Sequence, residues 1–182
     1  RQQRKTRNTR MMIGGGIAVI TVVALLLVLL RSTGPEVGFT VQDLGGQHSP
    51  PYVYIEDILL EGESIEIPPT SGNHFPQQSP YGFLGVPLVP EAVVHNMEHG
   101  SVVIWYQPGN PELASQVNQM VRTLGPQCIV AGSYADMSGQ VAVTAWGRVL
   151  PQRVFNESEL RKFITAYRGK LGPETGLCRA QS

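Results

Sequence analysis

PEAVVHNMEHGSVVIWY, residues 90–106, is the stretch on which the fold turns. Pro90 suits the first turn of a helix, where its missing amide donor is not needed, and Gly100 suits the stop. Between them, 3.6-residue spacing puts Glu91, His95, Glu98 and His99 on one face, with Val93 and Met97 elsewhere. SVVIWY (101–106) then reads as a strand, rich in β-branched and aromatic residues. Downstream, Pro111 to Leu124 repeats as an amphipathic helix with Leu113, Val117, Met120, Val121 and Leu124 on its stripe. CIVAGSY (128–134) and QVAVTAWGRVL (140–150) read as strands joined by the turn at residues 135–139. Asn156 caps a last helix, with Glu159 at the capping-box position and Leu160, Phe163, Ile164 and Tyr167 facing inward. That order implies an α+β domain with a mixed or antiparallel sheet and two to three helices.

Upstream of the helix the reading changes. Residues 53–67 are expected to form one or two strands with a turn at Glu61-Gly62-Glu63. Residues 68–90 hold six prolines, so regular helix or strand is not expected there. Phe75, Tyr81, Phe83 and Leu84 nevertheless give this segment apolar groups to bury, which predicts an ordered loop wrapped over the core. Long structured loops in compact domains are disproportionately functional.

The N-terminal part is of another kind. Arg1, Arg4, Lys5, Arg7 and Arg10 form a basic tail over 1–10, followed by MMIGGGIAVITVVALLLVLL (11–30) without a charge. Twenty apolar residues at about 1.5 Å each match the roughly 30 Å of a bilayer's hydrocarbon core. The expectation is a single-pass transmembrane helix at 11–30, a cytoplasmic N-terminus, a linker over 31–52 and an extracytoplasmic domain over 53–182. Residues 32–182 carry eight basic and fourteen acidic side chains, a net −6, which argues against nucleic acid as their partner. The lipid bilayer is the partner this reading names, with a larger membrane protein complex as a further one.

The chemistry concentrates in the histidines. All four lie between positions 48 and 99, and two stand in His95-Asn96-Met97-Glu98-His99, an H-x-x-E-H pattern. Imidazole is the commonest protein metal ligand, and residues i and i+4 share a helix face. His95 and His99 supply two nitrogens, and His74 and His48 could close the site from the Pro/Gly-rich wrap. Such a set suits zinc, copper, nickel or iron rather than magnesium or calcium, and copper or zinc is the expectation. Glu98 is read as a group that fixes an imidazole tautomer, with direct ligation and base catalysis as alternatives. The competing reading is structural, with the rings hydrogen-bonding loop carbonyls. No catalytic residue is assigned. Cys128 and Cys178, the two cysteines present, are expected to form a disulfide.

PPTSGNHFP (68–76), PYG (80–82) and VVHNMEHGSVVIWY (93–106) together resemble a bacterial family catalogued as domain of unknown function 3105. Gly45-Gly46-Gln47-His48 resembles a further element of its pattern, so all four histidines fall on motif positions. The resemblance is clear over about 45–108 and vaguer to about 170, and it implies a membrane anchor and an exported domain but no activity. Three readings stand side by side. The first is a membrane-anchored metal-binding protein, the second a non-catalytic accessory subunit of a larger membrane complex, and the third a zinc hydrolase using H-x-x-E-H.

Overall fold

The computed structural model describes residues 36–178 of the chain. Its elements are β1 (Phe39–Thr40), β2 (Asp57–Leu60), β3 (Glu63–Glu66), β4 (Gly82–Pro87), α1 (Pro90–Glu98), β5 (Val102–Tyr106), α2 (Pro111–Leu124), β6 (Ile129–Ser133), β7 (Val141–Ala145), β8 (Arg148–Gln152) and α3 (Glu157–Tyr167), ending in a short 3-10 turn, Thr175–Leu177. Six strands form one mixed sheet in the order β1-β8-β7-β5-β6-β4, and β2 and β3 form a separate hairpin. β4 and β5 both run parallel to β6, which lies between them, whereas β7 pairs antiparallel with β5 and with β8. The domain is α+β with a mixed sheet and three α-helices among the described residues.

The central strands explain the layering. Every residue of β5, β6 and β7 is buried, as continuous apolar runs require when both faces of a sheet are covered. Val102, Ile104 and Tyr106 face one side and pack with Leu113, Val117, Met120 and Val121 of α2 and Leu160, Phe163 and Ile164 of α3. Val103 and Trp105 face the other side, against Val93, Val94 and Met97 of α1. The alternation of β5 thus divides the core into two layers. Trp105 donates its indole N–H to Thr144 Oγ1 at 2.7 Å, and the Thr144 hydroxyl donates to Met97 Sδ at 3.2 Å. The thioether of Met97 is therefore spent in the core, turned away from any site on the histidine face.

Helix ends follow the sequence. The side chains of Asn110 and Asn156 accept from the amides of Leu113 and Glu159, capping α2 and α3. α1 begins at Pro90 and ends with Gly100 at φ +95, a conformation that L side chains rarely adopt. Cys128 and Cys178 are bonded, with Cα atoms 5.8 Å apart.

Three expectations need correcting. The proline-rich segment contains a strand, β4, because it lies at the sheet edge and pairs only with β6, with Pro87 at its last position. Residues 140–150 form parts of two strands rather than one, since Trp146 and Gly147, at φ +66, turn the chain back into β8. The largest correction concerns the membrane. The span expected at 11–30 lies outside the described residues, and no helix among the described residues is long and apolar enough to cross a bilayer. The longest of them, α2, has 14 residues and exposes a polar face, against the roughly 20 apolar residues a span needs. The single-pass topology, and the membrane localisation drawn from it, find no support in the described structure.

Candidate metal centre

Two segments and one helix build the histidine cluster. Segments 42–48 and 70–74 are laced together: the Gly72 amide donates to Gly45 O at 2.8 Å and the His74 amide to Gln47 O at 2.9 Å. The Leu44 amide donates to Ser71 Oγ at 3.0 Å, and the Gln47 amide to Asn73 Oδ1 at 3.1 Å. Gly46 makes the approach possible, because a Cβ there would lie 2.8 Å from the His74 ring and 2.9 Å from the Trp146 ring. This lacing sets His48 beside His74. The helix is locked to the wrap in turn, with Asn96 donating to Ser79 O and accepting from the Ser79 amide, both at 2.9 Å.

The ring nitrogens then converge. The ligand atoms of His48, His74 and His95 lie within 4.8 Å of one another, and so do those of His95, Glu98 and His99. His95 Nε2 is 2.8 Å from His99 Nε2. Glu98 Oε2 lies 3.1 Å from His74 Nε2, 3.4 Å from His48 Nε2 and 3.9 Å from His99 Nε2. The rings of His48, His95 and His99 form a column, each neighbouring pair stacked at 4.7 Å. A histidine/glutamate cluster capable of coordinating a transition metal ion is present.

Hydrogen bonding decides what these atoms offer. A carbonyl only accepts, so His74 Nδ1–H donates to Gly72 O at 2.8 Å and His95 Nδ1–H donates to Phe75 O at 2.7 Å. In a neutral ring that uses the only proton, and Nε2 is left as a lone pair pointing into the cluster. The His74 lone pair faces a carboxylate oxygen, and the His95 lone pair faces another imidazole nitrogen. His99 Nδ1 is buried without a hydrogen-bond partner among the described residues. Burial lowers the pKa of His95 below its ordinary value; the Phe75 carbonyl pulls the other way, and the His99, His74 and His48 rings add to the lowering. The neutral, ligating form of His95 is thereby favoured.

The surroundings also favour a cation. His95, Glu98 and His99 sit at the C-terminal end of α1, where the helix dipole is negative. His74 is fully buried, while the His48 side chain, 48% exposed, forms the solvent-facing edge of the cluster. Reasoning from sequence missed four supporting residues. Trp146 donates to Asp43 Oδ2 at 2.9 Å and backs the His74 ring, Gly46 allows the close approach, and Glu174 Oε2 lies 3.7 Å from His99 Nε2. Of these, Gly46 carried a signal in the sequence, its place in the Gly45-Gly46-Gln47-His48 element.

The fold and the cluster together define an α+β domain with an imidazole-carboxylate site between a helix end and a proline-rich wrap. The chain belongs to the family described as Protein of unknown function (DUF3105), which matches residues 64–181. His74, His95, Glu98, His99 and both cysteines fall inside the match, whereas His48 precedes it. The match runs further toward the C-terminus than the motifs suggested. No curated protein and no solved structure matches the chain.

Proposed function

We propose that this domain holds a divalent transition metal ion through His74, His95 and His99, with His48 at its open edge and Glu98 beside it. The observation that carries the reading is the orientation of His74 and His95 by backbone carbonyls, which aims one Nε2 at Glu98 Oε2 and the other at His99 Nε2. Each of these contacts needs a proton or a metal cation between its two atoms. Two nitrogens each about 2.0–2.1 Å from one ion stand roughly 2.9 Å apart at a right angle and roughly 3.4 Å apart in a tetrahedron. The 2.8 Å between His95 Nε2 and His99 Nε2 is close to the right-angle value.

The ligand set speaks to the metal. Met97 is engaged in the core and the two cysteines in their disulfide, so none of these offers a soft ligand for copper(I). Imidazole with carboxylate suits zinc(II) or copper(II). A hydrolytic role fits less well, because Glu98 is 7% exposed and its Oε2 is already held between His74 and His48. The test is elemental analysis and zinc titration of the full chain beside a variant with alanine at His74, His95 and His99. The parent is expected to bind an ion that the variant loses. Equal metal content in the two would leave the rings structural.

A further inference from the structure

We infer that Glu174 is an additional ligand of this site, brought to His99 by a C-terminal strap that the Cys128–Cys178 disulfide holds in place. The inference rests on the metal-binding reading and adds a residue to it.

The strap starts where α3 ends at Tyr167 and lies across the C-terminal end of α1. The Gly169 amide donates to Gly100 O at 2.8 Å, and the Glu174 amide donates to Glu98 O at 3.0 Å. Between them the contact is too close for any side chain. A Cβ on Gly172 would stand 2.3 Å from Glu98 O and 2.5 Å from Met97 O, and its φ is +120. Beyond Glu174 the chain makes its 3-10 turn and reaches Cys178, 1% exposed and bonded to Cys128 just before β6. Glu174 therefore sits on backbone pinned from both sides, and its position relative to His99 is set by the fold.

Its side chain points to the site. Oε2 is 3.7 Å from His99 Nε2, and the side chain is 54% exposed, so it stands on the solvent side of a buried cluster. The cations on the same strap are directed elsewhere. Lys170 donates to Thr165 O, and Arg168 donates to Leu124 O and Gly125 O. A carboxylate and an imidazole bound to one ion lie roughly 3 to 3.4 Å apart, so a shift of well under 1 Å in a half-exposed side chain completes the contact. An anionic ligand at this position raises affinity for a divalent ion and shields the outer side of the site.

The experiment uses the full chain with Co2+ and Zn2+ as probes. Zinc affinity is read by competition with a chromogenic chelator, and coordination by the visible absorption of the cobalt form. Glu174→Gln should weaken zinc binding at least about tenfold and alter the cobalt spectrum, with unchanged stoichiometry. Replacing both cysteines by serine should weaken it comparably, and adding Glu174→Gln to that variant should change little more, since both act through one contact. Circular dichroism checks that each variant is folded. An affinity and spectrum in Glu174→Gln equal to the parent's overturn the inference while leaving the metal site standing. A weakened affinity with an unaltered cobalt spectrum also overturns it, because the effect is then electrostatic. A parent chain that binds neither ion removes both readings.

Discussion

Gly46→Ala is the sharpest steric test of how the histidine cluster is assembled. Gly46 needs no left-handed backbone, so the substitution is not strained by conformation alone. Its cost comes from contact: the new Cβ would meet His74 Cε1 at 2.8 Å and Trp146 Cη2 at 2.9 Å, with His74 Nδ1 at 3.2 Å. Neither ring is a flexible chain end. His74 is fully buried between Gly72 O and Glu98, and Trp146 is 7% exposed and tied to Asp43. Ordinary carbon contacts begin near 3.5 Å, so the segment bearing Gly46 has to retreat by roughly 0.6 Å. Overpacking of this size costs about 1–3 kcal/mol. A value near 2 kcal/mol lowers the melting temperature by roughly 4–8 °C in a domain of this size. Because the retreating segment carries His48, and its Gln47 O accepts from the His74 amide, zinc affinity should fall as well. The control is Gly176→Ala, where nothing lies within 4 Å and no left-handed φ is imposed. Denaturant unfolding in the presence of a chelator measures the first effect, and zinc titration the second. If Gly46→Ala and Gly176→Ala both unfold within experimental error of the parent, the close approach of these segments is not as described.

Three further outcomes follow from the same structure. Opening the Cys128–Cys178 bond, which closes 50 residues, should destabilise the domain by about 4 kcal/mol on the chain-entropy estimate. Unfolding curves with and without a thiol reductant check this, and a midpoint unmoved by reduction would contradict it. The metal-free domain should also lose stability as pH falls below about 6.5. The pKa of His95 is lowered in the fold, so the unfolded chain takes up the proton first and stability rises with pH across that window. Metal binding should weaken over the same range, since only neutral imidazole ligates. Denaturation at a series of pH values, with and without zinc, reads both effects, and a flat metal-free profile between pH 5 and 7.5 would count against the buried neutral ring.

The sequence alone determined those features in which local chemistry and burial agree. Pro90 and Gly100 bound α1 because one lacks a donor the first turn does not need and the other accepts a φ of +95. The stripe over Pro111–Leu124 and the Asn156 cap placed α2 and α3 on the residues observed. His95, Glu98 and His99 were legible as one face because helical spacing is a local property. Tertiary structure decided what depends on neighbours distant in the chain. β4 is a strand only because β6 offers it an edge to pair with, which no count of prolines reveals. His48 and His74 reach the helix through backbone lacing between 42–48 and 70–74, and Glu174 reaches His99 from 75 positions away. Neither approach leaves a periodic trace, because the glycines that permit them, Gly46 and Gly172, are demanded by packing against another segment rather than by their own turn alone. The tautomers that make the cluster a ligand set were equally hidden, since they are set by the carbonyls of Gly72 and Phe75, groups every residue carries and only the fold aims.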